Sequence, residues 1–229
     1  MSAFFVTSSG TGIGKTVVMC ALIRELRKAG VAARALKPVV TGFSADTLAE
    51  SDTARILAAL DLPPSPENVA AVSPWRLEAP ISPDMAASRE GRTLEVAEIA
   101  SFCRERAASE GVLLIEGIGG AMVPLTGQGT VLDLMALLGF PAILVVGSYL
   151  GTLSHTLTAA AALGNRGIGI AAVIVSESEA NPVPLAETTE TLGRFLAPVP
   201  VLAVKRAGGE ADRCPVPEIA SALKVLPAP

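Results

Sequence analysis

Short apolar runs alternate along the chain with stretches whose apolar residues recur at helical spacing. Residues 3–7, Ala-Phe-Phe-Val-Thr, read as a first buried strand. A glycine-rich segment follows, then a helix over residues 15–29 that ends at Gly30. Residues 31–39 read as a second strand and 52–60 as a short helix. Pro63, Pro64, Pro66, Pro74, Pro80 and Pro83 predict a long irregular stretch. Residues 94–110 are helical, with Glu95, Glu98, Arg104 and Arg106 on the polar side. Strands are predicted at 112–116, 142–146, 169–175 and 199–204, and helices at 153–163 and 184–195.

The strands are continuously apolar rather than alternating, which implies that both sheet faces are covered. Strands that alternate with helices predict an α/β fold, a doubly wound and mainly parallel sheet, in a single domain spanning 1–229. Ligands of such sheets bind beyond the carboxyl ends of the strands. The second strand is expected beside the first, which would turn Lys37, at its end, toward the glycine loop.

Composition narrows the classes of function. Half of the 229 residues are hydrophobic but only 3% are aromatic, so the core must be built from Ala, Val, Ile and Leu. The net charge is −4 and no basic run is present, which excludes nucleic acid as the main partner. The longest apolar stretch, 131–147, carries Asp133 and is broken by Pro141, so no membrane span is expected. Residues 1–6 lead straight into the glycine loop without a basic and apolar leader, which predicts a cytoplasmic protein. Cys20, Cys103 and Cys214 share no short spacing and read as buried thiols, neither a disulfide set nor a metal site. The single histidine, His155, supplies no metal cluster by itself.

The strongest chemical signal is Ser8-Ser9-Gly10-Thr11-Gly12-Ile13-Gly14-Lys15-Thr16, set between the first strand and the first helix. Glycines let the backbone wrap phosphates with its N–H groups inward, and the helix N-terminus adds partial positive charge. Lys15 would reach the β- and γ-phosphates and the Thr16 hydroxyl would ligate Mg²⁺. The strict pattern has glycine where this chain has Ser9, so the loop is a P-loop variant. Glu116 ends a buried strand in Glu-Gly-Ile-Gly-Gly and is a candidate metal or phosphate-water ligand; the alternative is a surface residue at a strand end. Asp52 is a second candidate, against the plainer reading of a helix N-cap. Lys37, followed by Pro38 and Thr41-Gly42, is either a phosphate contact or a solvated lysine. Ser154 and His155 open a helix whose N-terminus could hold an anion, although a structural histidine is the plainer reading of His155.

Together these residues resemble the dethiobiotin synthetase family. That family's modified loop, Gly-Thr-x-Thr-x-Val-Gly-Lys-Thr, corresponds to residues 8–16, and its Lys-Pro-Val-x-(Ser/Thr)-Gly to residues 37–42. Ser51-Asp52, residues 80–87 (Pro-Ile-Ser-Pro-Asp-Met-Ala-Ala), residues 115–120 (Ile-Glu-Gly-Ile-Gly-Gly) and residues 150–155 (Leu-Gly-Thr-Leu-Ser-His) follow in the family's order. The resemblance implies a P-loop NTPase-like fold and an ATP-dependent ring closure. Diaminopelargonic acid and CO₂ would form a carbamate, the carbamate would take the γ-phosphoryl group of ATP, and the second amine would close a cyclic urea and expel phosphate. It implies that Lys37, Lys15 and Thr41 serve the reaction, and that Thr16, Asp52 and Glu116 hold Mg²⁺. It places ATP on Gly12, Ile13, Gly14, Lys15, Thr16, Val17, Asp52, Glu116, Gly117, Ile118 and Gly119. Thr41, Gly151, Thr152 and Ser154 would hold substrate, in a homodimer whose subunits share the site.

Three departures stand out: Ser8 replaces a family glycine, Ser154 stands where many members have asparagine, and the last third diverges. Ser176 stands where many members have an adenine-reading asparagine, and residues 201–205 are a second candidate for that contact. A partition or scaffold ATPase of the same fold is the main alternative; its loop carries an extra lysine where this chain has Gly10. A small-molecule kinase that releases a phosphate ester is the third.

Overall fold

The computed structural model describes residues 2–206 and 217–225. The chain runs β1 (Ser2–Ser8), α1 (Lys15–Lys28), β2 (Ala33–Leu36), β3 (Val39–Thr41), α2 (Asp52–Ala59), α3 (Pro66–Val72), β4 (Trp75–Leu77), α4 (Pro83–Arg89), α5 (Val96–Ala107) and β5 (Val112–Glu116). It continues through α6 (Val131–Leu138), β6 (Ala142–Val146), α7 (Thr152–Asn165), β7 (Ile170–Ser176), α8 (Leu185–Leu196), β8 (Val201–Val204) and α9 (Pro217–Ala222). Six strands form a parallel sheet in the order β2-β5-β1-β6-β7-β8, and β3 pairs with β4 in a small parallel sheet of their own.

Successive residues of a strand point to opposite faces, and here both faces are apolar. Val6, Leu114, Ile143 and Val145 enter a core shared with α1 and α2, while Phe5, Ile115, Leu144 and Val146 enter a second core shared with α5 and α6. The doubly wound α/β sheet expected from the continuous apolar runs is therefore present.

Its strand order differs from expectation. β2 lies against β5, not β1, because the chain crosses back through β5 to fill the position between them. The correction improves the geometry of the site. Leu36 pairs with Ile115 and Val6 with Glu116, so Lys37 emerges level with Glu116 and both emerge beside the end of β1. The expected second strand also divides. Pro38 has no N–H for the ladder, and beyond it the chain leaves the main sheet to form β3.

The proline-rich stretch, expected to be irregular, contains regular elements, α3, β4 and α4. Pro66 and Pro83 each sit in the first turn of a helix, where a missing N–H costs nothing, and Ser65 caps α3 by accepting from Asn68 N–H at 3.2 Å. The apolar segment 131–147 resolves into α6, closed by left-handed Gly139, and β6. A reciprocal capping box between Thr130 and Asp133 starts α6. Beyond Gly208 the described residues pack: Ile219, Ala220 and Leu223 are buried in the core beside α1. Cys20 and Cys103 are buried thiols outside any disulfide, as expected, and burial pushes the Cys103 thiol up to about 12; Cys214 lies outside the described residues. Among the described residues no helix is long and apolar enough to cross a membrane.

Gly117, just past β5, is a close-approach glycine: a β-carbon there would lie 2.7 Å from the Phe5 ring and 3.3 Å from Val131. Gly117→Ala is expected to lower stability by about 1–3 kcal/mol through overpacking. Gly127→Ala, whose β-carbon would meet nothing within 4 Å, should stay within about 0.5 kcal/mol of the parent. Urea unfolding of both variants checks this.

A candidate phosphate-binding active site

The turn between β1 and α1 needs backbone that only glycine adopts without strain: Gly12 has φ 71° and Gly14 φ 102°. Space forbids a side chain at Gly14 as well, since a β-carbon there would lie 2.7 Å from Ser176 Oγ. Helix α1 starts directly after this turn with no side-chain cap and no acidic residue in its first turn. Its leading amides are thus left for an external anion.

The loop opens on a cleft of about 380 Å³ whose walls include Thr11, Gly12, Ile13, Gly14, Lys15, Thr16 and Val17. Lys37, Val40, Thr41, Asp52, Arg55, Glu116, Ile118 and Gly119 complete it. Twelve of the residues expected at the site are therefore brought together. Gly117 instead faces Phe5 under the sheet end, and Ser176 sits behind Gly14. Gly151, Thr152 and Ser154 lie at the start of α7 and do not line this cleft within the chain.

Charge is concentrated at the bottom of the cleft. The Lys37 ammonium donates to Glu116 Oε1 at 2.6 Å and to Asp52 Oδ2. The Lys37 side chain is 6% exposed and that of Glu116 is 0% exposed. Burial works against the Lys37 charge, but Glu116 and then Asp52 outweigh it and hold its pKa above the ordinary lysine value. Burial likewise opposes ionisation of Asp52, yet Lys37 holds that carboxyl below the usual range. Lys37 is not the solvated lysine that the plainer reading expected: it is buried and paired with two carboxylates. Asp52 is not the N-cap of α2. Ser51 takes that role, accepting from Ala54 N–H at 3.1 Å, and frees the Asp52 carboxylate.

Lys15 is the second buried cation. Its ammonium donates to Ser8 Oγ at 3.1 Å and lies 3.4 Å from Gly10 O. Burial, opposed by Glu116 and assisted by Lys37, lowers its pKa to about 8. Ser8, read from sequence only as a departure, is fully buried and anchors the loop: its hydroxyl lies 2.5 Å from Gly10 O and 3.0 Å from Gly119 O. Arg55 was also missed. Its position three residues after Asp52 on α2 was the available signal.

The oxygen donors fit a magnesium ion. Thr16 donates to Glu116 Oε1 at 2.8 Å, and Glu116 Oε2 is buried with no hydrogen-bond partner. Two carboxylates and a hydroxyl suit a hard cation that keeps waters and substrate phosphates as its other ligands. Among the described residues no cluster of three or more His, Cys, Asp or Glu side chains forms a metal cage.

At the sheet's far side, the loops after β6 and β7 are clasped: Ser148 N–H donates to Ser178 Oγ at 3.0 Å and Ser178 N–H to Ser148 Oγ at 2.9 Å. The Thr152 hydroxyl donates to Gly147 O at 2.7 Å, which leaves the exposed Ser154 and His155 at the start of α7, with His155 Nδ1 2.9 Å from Tyr149 Oη.

A parallel sheet with a glycine loop opening α1, a buried lysine in that loop and a metal-ready threonine beside it define a P-loop nucleotide-dependent enzyme. Solved structures agree on the fold. Chloroplast FtsY from Physcomitrella patens superposes with a TM-score of 0.50 at 15% identity, over 98% of this chain and 65% of that one. Cell division protein FtsY from Thermotoga maritima gives 0.51 at 14% identity, over 98% and 68%. Residues 2–205 match the family described as an AAA domain. The ATP-dependent dethiobiotin synthetase BioD of Methylobacterium nodulans is 47% identical over 91% of this chain and 95% of its own length. That of Acidiphilium cryptum is 48% identical over 87% and 91%, and that of Caulobacter vibrioides (strain NA1000 / CB15N) 46% over 91% and 94%. The chain belongs to the ATP-dependent dethiobiotin synthetase family.

The depressed Lys15 pKa gives a sign that can be tested. A phosphate favours the protonated ammonium, so it raises the Lys15 pKa from its free value of about 8. Triphosphate binding should therefore take up a proton above that pH and almost none well below it, and affinity should fall as pH rises past it. Calorimetry in two buffers of different ionisation enthalpy at pH 7 and pH 9 reads the proton directly.

Proposed function

We propose that this chain, acting as one synthetase domain over 1–229, converts diaminopelargonic acid, CO₂ and ATP into dethiobiotin, ADP and phosphate. The observation that carries this reading is the Lys37 ammonium held between Asp52 and Glu116 at the mouth of the phosphate loop, with Thr41 on the same cleft. Family membership supplies the substrates, and the cleft supplies the charges they need.

One amine of the substrate attacks CO₂, forms an N–C bond and loses a proton. A carbamate oxygen then attacks the γ-phosphorus as the bond to the β–γ bridging oxygen breaks, giving a carbamic–phosphoric anhydride and ADP. The second amine attacks the carbonyl carbon, loses a proton and displaces phosphate as the five-membered ring closes. Carbamate and triphosphate repel each other, and Lys15 and Lys37 offset that repulsion inside a buried site where each charge counts for more than in water. Mg²⁺, held by Thr16, Asp52 and Glu116, would supply further neutralisation of the phosphates. Backbone amides from Gly12 to Val17 cradle the phosphate chain, Ile118 and Gly119 close the opposite lip, and Thr41 hydrogen-bonds the carbamate or its nitrogen. Ring closure is intramolecular because both nitrogens belong to one substrate, and holding its two ends in reacting geometry lowers the barrier by roughly several kcal/mol.

The base is assigned to the region of Ser176 behind Gly14, where a single hydroxyl offers less discrimination than an amide pair. A cytoplasmic homodimer belongs to the same proposal. Leu150 is 87% exposed and Leu153 38% exposed next to Gly151 and Ser154, an apolar edge suited to a second copy that would bring the start of α7 to its partner's substrate.

Incubation with diaminopelargonic acid, bicarbonate and Mg-ATP should yield dethiobiotin and free phosphate by mass analysis; a phosphate ester without ring closure would indicate a kinase instead. Lys37→Met, which keeps the stem and removes the charge, should cut kcat by about 10²-fold while ATP binding persists on Lys15 and the loop. A folded Lys37→Met protein within about threefold of the parent would make Lys37 a bystander.

A further inference from the structure

Arg55 stands one helical turn beyond Asp52 on α2, on the same face. Helical side chains lean toward the N-terminus of their helix, which carries the guanidinium toward the Asp52 end, and Arg55 forms part of the phosphate cleft's wall. It is exposed, and among the described residues it makes no hydrogen bond or ion pair. The other cleft cations are engaged: Lys37 with two carboxylates and Lys15 with Ser8. Arginines elsewhere are engaged too, Arg27 with Asp61, Arg34 with three carbonyls and Arg166 with Asp133. Asp52 is close enough to feel the Arg55 charge but is bound to Lys37 instead. A planar fork of donors without a hydrogen-bond partner thus stands on the wall of the phosphate cleft.

Resting on the ATP-dependent reading above, we propose that Arg55 contacts the γ-phosphoryl group of the bound triphosphate, donating two N–H groups to two of its oxygens. It lies one turn from Asp52, whose carboxylate interacts with Thr16 and shares Lys37 with Glu116; the loop threonine marks the β–γ end of the phosphate chain, so Arg55 falls toward that end. As the carbamate oxygen bonds to phosphorus and the bond to the ADP oxygen breaks, negative charge spreads over the three remaining phosphoryl oxygens. A guanidinium matches two of them at once, which an ammonium cannot do. Arg55 would therefore serve both triphosphate recognition and the transfer step, from the same helix that carries Asp52.

The test compares parent, Arg55→Ala and Arg55→Lys in two measurements. Calorimetry gives affinities for ADP and for the non-hydrolysable β,γ-imido analogue of ATP, with Mg²⁺ present. Steady-state dethiobiotin formation gives kcat and KM. Arg55→Ala should weaken the triphosphate analogue by about tenfold or more, leave ADP within about twofold, and lower kcat by about 10²–10³-fold. Arg55→Lys should recover part of the analogue affinity without recovering kcat. Equal weakening of ADP and analogue, or kcat within about threefold of the parent for Arg55→Ala, overturns the assignment. Unfolding of Arg55→Ala is not expected for an exposed side chain, and the unchanged ADP affinity is its internal check. If the parent makes no dethiobiotin yet Arg55→Ala loses analogue affinity selectively, the synthetase reading fails while the phosphate contact stands.

Discussion

The buried ion triad of Lys37, Asp52 and Glu116 is the interaction on which the site depends. Three elements meet in it: the end of β2, the first turn of α2 and the end of β5. Glu116 has no exposed side-chain surface, so its charge is tolerable only with a cation against it. Removing the partner of such a pair costs about 3–5 kcal/mol, because a buried charge is left uncompensated. Lys37 therefore ties the three elements together at the cleft. A ligand that drew the carboxylates away from it would free an ammonium already at the bottom of the cleft.

The phosphate loop uses the complementary strategy. Its lysine has weak protein partners, a serine hydroxyl and a carbonyl, and its pKa is drawn down to about 8 by burial. Lys15 is thus weakly partnered, whereas Lys37 has two carboxylate partners, one of which keeps a buried oxygen, Glu116 Oε2, without a hydrogen bond. Ser8 moderates this difference by bridging Lys15 to the loop and the loop to Gly119. The cleft therefore combines one weakly partnered lysine with one that is doubly paired.

Much of this was legible in the chain. Runs such as residues 112–116 and 142–146 are apolar at every position until Glu116, so two-sided burial and the parallel class followed from pattern alone. The loop from Gly10 to Thr16 is recognisable because glycine spacing and a following helix are local properties. Strand order was not legible: the placement of β2 beside β5 is decided by a crossover between segments more than seventy residues apart. Nor were the helices at Pro66 and Pro83, because proline breaks a helix interior yet suits a first turn, and only the preceding Ser65 and Ser82 mark the difference. Ser51 and Asp52 were confused as caps because both are good capping residues and lie one position apart. Ser8 and Arg55 carried no motif that names them, although Arg55 follows Asp52 by three residues on one helix and only the contact of Ser8 with Gly119 is long-range.

The serine clasp between the loops after β6 and β7 has a mechanical meaning. Each serine donates its backbone N–H and accepts with its hydroxyl, so the two loops cannot part without breaking both bonds at once. One loop leads through Gly147 and Thr152 into α7, and the other extends β7, whose last residue braces the underside of Gly14. The far rim of the sheet therefore acts as a stiff yoke. A force applied at the exposed start of α7, as by a neighbouring molecule, would be transmitted across it to the floor of the phosphate loop rather than absorbed in the intervening turns.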